Sequence, residues 1–291
     1  MEGQFLTDRV VAGIDLTPIG RRVAERARLV AEAHGLPLHL VSINESSSEA
    51  FLDDGLGRLL FGRYQKNLSD VAAWLRDRGA AVPVTHRALR GSIGWELVRE
   101  AKKASMVVVG TSAVDVERCG PIARRVSIMS TGDVLVVRRQ PRMPYRKVMA
   151  AVDFSSHSET AVKAALKWYP EAELTAVFSL PDRWDPALSE AGLFDVEVVA
   201  ARSTRLKLAT ERMEEFVSSW PGRVKPLVVD GAPPTAIDEV VRRRGVDLVV
   251  VANRGAGATR MILLGSVADG VLETMPGDVH VARVEGEFRR P

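Results

Sequence analysis

The chain has 291 residues, 26% of them charged and 46% apolar, a composition that suits folded domains and excludes a disordered chain. That length allows two domains, each burying its own core. With 40 basic residues against 37 acidic ones the formal net charge is only +3, and no aromatic stacking platform interleaves with the basic clusters, so no nucleic-acid partner is expected.

In chain order, residues 9–14 form an apolar strand that ends in Asp15-Leu16-Thr17. A helix follows, with Val23, Ala27, Val30 and Ala31 on its apolar face and a stop near Gly35-Leu36-Pro37. Residues 38–43 are a second strand, 44–48 the start of a polar loop, and 57–78 a long helix that ends at Gly79. The spacing then predicts a strand over 81–87, a helix over 92–103, a strand over 106–110, a loop over 111–119, a helix over 122–131 and a strand over 133–138. The apolar runs 106–109 and 248–252 are far too short to span a bilayer, so no membrane insertion is expected. Met1-Glu2-Gly3-Gln4 lacks the basic start and apolar block of a secretory leader, and the lone Cys119 excludes an intrachain disulfide. The location these features predict is cytoplasmic.

The pattern then begins again. Residues 145–155 repeat the opening, so that Asp153 lies 138 residues after Asp15 and Ser155 takes the place of Thr17. The run at 106–109 recurs at 248–251, and Gly132-Asp133-Val134 recurs as Gly277-Asp278-Val279, 145 residues on. Landmarks at near-constant offset indicate an internal duplication, split at the proline-containing linker 140–144. Strands alternate with helices, and the fourth strand has no polar alternation. This predicts two doubly wound α/β domains, 1–140 and 145–291, each a parallel sheet with helices on both faces. Ligands of such sheets bind beyond the carboxyl ends of the strands, where the strand order reverses.

The stretch most suggestive of chemistry begins at Leu248. An apolar strand runs into Asn253-Arg254-Gly255-Ala256-Gly257, and the loop ends at Gly265-Ser266-Val267, which opens a helix. Glycines let backbone amides approach an anion, and the free amides of a helix start carry partial positive charge. Neither a Walker-type lysine nor a G-x-G-x-x-G fingerprint is present. Together with Val152-Asp153-Phe154-Ser155, Gly231-Ala232-Pro233 and residues 246–251, this loop resembles the nucleotide loop of the universal stress protein family, G-x2-G-x9-G-[ST]. Ala252 stands in for the first glycine.

The resemblance covers residues 1 to about 285, and what it implies is a five-stranded sheet of order 3-2-1-4-5 in each domain, with ATP or another adenine nucleotide as ligand. It places Asp153 at the adenine or ribose, the backbone of Val177 at the base edge and Ala252 at the ribose. Gly255, Gly265, Ser266 and Val267 would wrap the phosphates. By itself Asp153 reads also as a strand-end residue capping the next helix, and Val177 as core. Arg254 and Arg260 are further candidates for phosphate. The first copy departs from the pattern: Ala113 stands where Gly255 does, the loop is three residues shorter, and Pro121 replaces Ser266. Proline offers neither amide hydrogen nor hydroxyl, which makes copy 1 degenerate as a phosphate site.

Other chemistry finds little support. His34, His39, His86, His157 and His280 lack ligand spacing and Cys119 lacks a CxxC partner, so no metal is expected. No nucleophile elbow accompanies Asp153, Ser155 and His157, and His157 reads as a polar residue entering a helix. Trp184, in the loop 181–186, reads either as a lid or partner contact or as packing on the sheet edge. The reading is therefore a non-catalytic, ATP-binding stress or signalling protein with nucleotide in the second domain. The alternatives are a slow ATP hydrolase, or a scaffold holding a protein or apolar ligand through domain 1. A homodimer and an unnamed protein partner are compatible with all of these.

Overall fold

The computed structural model describes residues 8–45, 55–102, 104–111, 119–141, 144–181, 195–253 and 264–284. The chain divides into two units, Met1–Pro144 with Gly286–Pro291, and Tyr145–Glu285. Gly255, Arg254, Arg260, Ala113 and Trp184 lie outside the described residues.

Unit 1 runs β1 (Val10–Gly13), α1 (Pro18–Ala33), β2 (Leu38–Asn44), α2 (Gly55–Asp77), β3 (Val84–Arg90), α3 (Ile93–Ala101), β4 (Met106–Gly110), α4 (Pro121–Met129) and β5 (Asp133–Val137). Its strands are parallel in the order β3-β2-β1-β4-β5. Val10 on β1 lies opposite both Leu38 on β2 and Met106 on β4. Val10, Val11 and Ala12 are fully buried, as are Met106, Val107 and Val108. Burial on both faces of the sheet explains why these strands read as unbroken apolar runs. Each such Val or Met side chain contributes about 1.5–3 kcal/mol by leaving water.

Unit 2 repeats the plan with β6 (Lys147–Ala151), α5 (Ser156–Trp168), β7 (Glu173–Leu180), α6 (Asp195–Val217), β8 (Val224–Asp230), α7 (Pro233–Arg244), β9 (Leu248–Ala252), α8 (Ser266–Thr274) and β10 (Asp278–Ala282). Its strands are parallel in the order β10-β9-β6-β7-β8. In each unit the order reverses between the first strand and the fourth, so β1 with β4, and β6 with β9, open a crevice at their carboxyl ends.

Local chemistry sets the boundaries. At the start of α1, Thr17 Oγ1 accepts the Ile19 amide at 3.2 Å, and Pro18 occupies the first turn, where a missing N–H costs nothing. The helix α7 stops at Gly245, whose φ of 63° is the left-handed conformation glycine adopts without penalty. The boundary that differs most from expectation is that of the third strand, Val84–Arg90, not 81–87. Pro83 cannot donate to a ladder, and its carbonyl instead accepts the Leu38 amide at 2.9 Å, so regular pairing begins after it. No helix among the described residues is long and apolar enough to cross a membrane.

Candidate functional site

In unit 2 the carboxyl ends of β6 and β9 bring together Asp153, Ser155, His157, Ser158, Ala252, Gly265 and Val267 around a small crevice of about 50 Å³. Four of the site residues expected from sequence, Asp153, Ala252, Gly265 and Val267, thus line one crevice. Ser266, the first residue of α8, is exposed and does not line it. Val177, on β7, does not line it either; its side chain is 1% exposed and its carbonyl accepts the Val152 amide at 2.9 Å. Gly255 falls outside the described residues.

Asp153 is fixed by its own turn. Its Oδ1 accepts the Ser155 amide at 3.1 Å, the Ser155 hydroxyl at 2.5 Å and the Ser158 hydroxyl at 2.7 Å. Ser158 Oγ also accepts the Asp153 amide at 2.8 Å. The carboxylate therefore ties the turn that leads into α5 without capping that helix, whose N-cap Ser155 makes no side-chain cap bond, and it stands exposed at the crevice. Between these residues Phe154 has φ of 61°, a conformation costing a branched or bulky residue about 1–2 kcal/mol. Its ring packs on Phe178 and Phe216 at centroid distances of 4.5 and 5.9 Å, with the Arg212 guanidinium 4.7 Å from the ring centroid.

Across the crevice Gly265 is the N-cap of α8, in extended conformation with φ −61° and ψ 154°, and no side chain caps the first turn. Its carbonyl accepts the Asp269 amide at 2.8 Å. The amides of this first turn have no partners within the helix, which is the geometry that receives an anion. Ser158 and His157 are contributions that the sequence reading missed or set aside. The signal for Ser158 was its position: it lies 138 residues after Gly20, the same offset as Asp153 from Asp15.

Unit 1 holds the corresponding crevice in a different state. Its cavity, about 390 Å³, is lined by Asp15, Ile19, Val41, Tyr64, Thr111 and Pro121 among others. Asp15 Oδ1 accepts the Thr17 amide and hydroxyl and the Gly20 amide, the last at 2.9 Å. Pro121 opens α4 and no side chain caps that helix. Among the described residues of both units, no group of three or more His, Cys, Asp or Glu could hold a metal ion.

Fold and site together define a tandem of doubly wound α/β units, each with a crevice at its switch point. A family model described as the universal stress protein family matches residues 7–138 and again 144–283, and the chain belongs to that family, as two copies in tandem. It is 24% identical over 279 residues to the universal stress protein Rv1996 of Mycobacterium tuberculosis, covering 91% of this chain and 77% of that one. It is 26% identical over 144 residues to the universal stress protein MJ0577 of Methanocaldococcus jannaschii, which spans 44% of this chain and 89% of its own length. A solved universal stress protein from Archaeoglobus fulgidus shares the fold with a TM-score of 0.68 at 16% identity, over 96% of this chain and 99% of that one.

Proposed function

We propose that unit 2 binds an adenine nucleotide, ATP in the first instance, and that the protein acts as a non-catalytic nucleotide-binding member of its stress-response family. The observation that carries this reading is the meeting, in one crevice, of a strand-end carboxylate held by its own turn and an uncapped helix start at Gly265. Core packing requires neither feature, whereas a nucleotide uses both: hydrogen-bond donors of the ribose meet Asp153, and phosphate meets the amides of Gly265 and Val267. The loop segment 254–263 adds Arg254 and Arg260 and no carboxylate, which suits an anion in sequence terms.

A crevice of about 50 Å³ is far below the roughly 300–1,000 Å³ of small-molecule sites, so binding on this reading requires the crevice to widen. Calorimetric titration of the full chain with ATP tests the assignment. Gly265→Val puts a branched side chain where phosphate must approach and abolishes binding. Ser266→Ala removes one hydroxyl donor, which lies outside the crevice until it widens around phosphate, and on this reading weakens binding about tenfold, the equivalent of about 1.4 kcal/mol. A folded Gly265→Val protein that binds ATP with unchanged affinity would refute the phosphate cradle.

A further inference from the structure

The cavity of unit 1 is of a size that small-molecule sites occupy, about 390 Å³ against a typical range of roughly 300–1,000 Å³. Most of its wall is aliphatic, from Ile19, Val23, Val41, Ile43, Leu97 and Val109. Three observations say what it accepts. Asp15 is the one charged side chain among the described lining residues, and the bonds its turn makes all use Oδ1, leaving Oδ2 to meet a donor. Thr111, on the opposite side of the strand-order reversal at the end of β4, is 7% exposed, and its hydroxyl oxygen has no hydrogen-bond partner among the described residues. Buried hydroxyls are ordinarily paired, so this one marks a position for a ligand group. No cation is among the described lining residues, and at the helix start Pro121 has no amide hydrogen, which leaves the Gly120 and Ile122 amides on either side of it to meet an anion.

The wall is also built to hold its shape. Ser42 donates its hydroxyl to the Ile14 carbonyl at 2.7 Å, so the 2.6 Å contact between Ser42 and Tyr64 is a bond donated by the phenol. Burial raises the Tyr64 pKa above its ordinary value, which keeps the phenol neutral at any physiological pH.

We propose that the unit 1 cavity binds a small, uncharged, mainly apolar molecule whose polar group donates to Asp15 and pairs with Thr111, and that it rejects ligands bearing phosphate. This assignment is independent of the nucleotide reading of unit 2.

The test uses the full chain and two probes sharing one body: 1-naphthol, uncharged with a hydroxyl that donates and accepts, and 1-naphthyl phosphate. Fluorescence titration at neutral pH shows saturable binding of one 1-naphthol per chain and at least tenfold weaker binding of the phosphate. Thr111→Val, which preserves shape, weakens 1-naphthol about fivefold, the worth of one neutral hydrogen bond. Ile19→Trp fills the cavity and abolishes binding; should that variant not fold, the Thr111→Val comparison decides alone. Gly265→Val in unit 2 leaves 1-naphthol binding unchanged, and excess ATP does not displace the probe. The proposal is overturned by absence of saturable 1-naphthol binding, by equal affinity for the phosphate, by displacement with ATP, or by unchanged affinity in Thr111→Val or in folded Ile19→Trp.

Discussion

At the scale of single residues, the two copies solve one problem with different atoms. The strand-end carboxylate must be held while the chain turns into a helix. In unit 1 the Gly20 amide reaches Asp15 Oδ1, and the approach is so close that a Cβ at Gly20 would stand 1.8 Å from the Asp15 carbonyl oxygen. In unit 2 the matching Ser158 carries a Cβ and uses its hydroxyl instead, accepting from the Asp153 amide and donating to Oδ1. Gly20→Ala therefore forces the backbone apart and costs about 2–4 kcal/mol, readable as a shift of the urea midpoint at constant slope. A cost below about 0.5 kcal/mol, the range of ordinary surface changes, would contradict the close approach. Ser158→Ala removes both bonds and costs about 1–3 kcal/mol. The same variant leaves the Ser155 bonds to Asp153 in place but loosens the carboxylate, so its ATP affinity falls as well.

At the scale of elements, unbroken apolar runs made β1, β4 and β9 legible, because strands covered on both faces leave no polar alternation to misread. Edge strands were harder. In β3 the burial alternates irregularly and Pro83 delays pairing, so the strand starts three residues later than its composition suggests. In the candidate site, Asp153 and Gly265 were legible through the family resemblance, Ser158 only through its offset from Gly20, and Thr111 not at all. The roles of Ser158 and Thr111 depend on which atoms fold back onto the turn or face the cavity, and no periodicity encodes that.

The pairing of β2 with β3 also carries a pH dependence. His39 on β2 shares a 2.8 Å hydrogen bond with Thr85 on β3, and its pKa is lowered, first by burial and then by Arg9, Arg87 and His86, against the opposing Glu100. A histidine whose folded pKa is depressed stabilises the fold fully above its unfolded value of about 6.5 and loses that contribution as pH falls through the folded value. The midpoint of thermal unfolding should therefore drop between pH 7.5 and pH 5. His39→Gln, which cannot be protonated, should show a smaller drop over that range. Parallel curves for the two proteins would show that His39 is not the group responsible.

At the scale of the whole molecule, duplication gave two crevices of one design, and divergence changed what each offers. Unit 2 keeps the Gly-Ser helix start and a basic loop sequence; unit 1 exchanges them for Pro121, a shorter loop and a wider, mostly aliphatic cavity that Tyr64 helps to line. The account predicts a division of labour between copies rather than two nucleotide sites in one chain. The most direct measurement of that claim is the number of ATP molecules bound per chain, read by native mass spectrometry of the full protein across a titration. One ATP per chain, lost in Gly265→Val, is the predicted result. Two per chain, or one that persists undiminished in folded Gly265→Val, would contradict it.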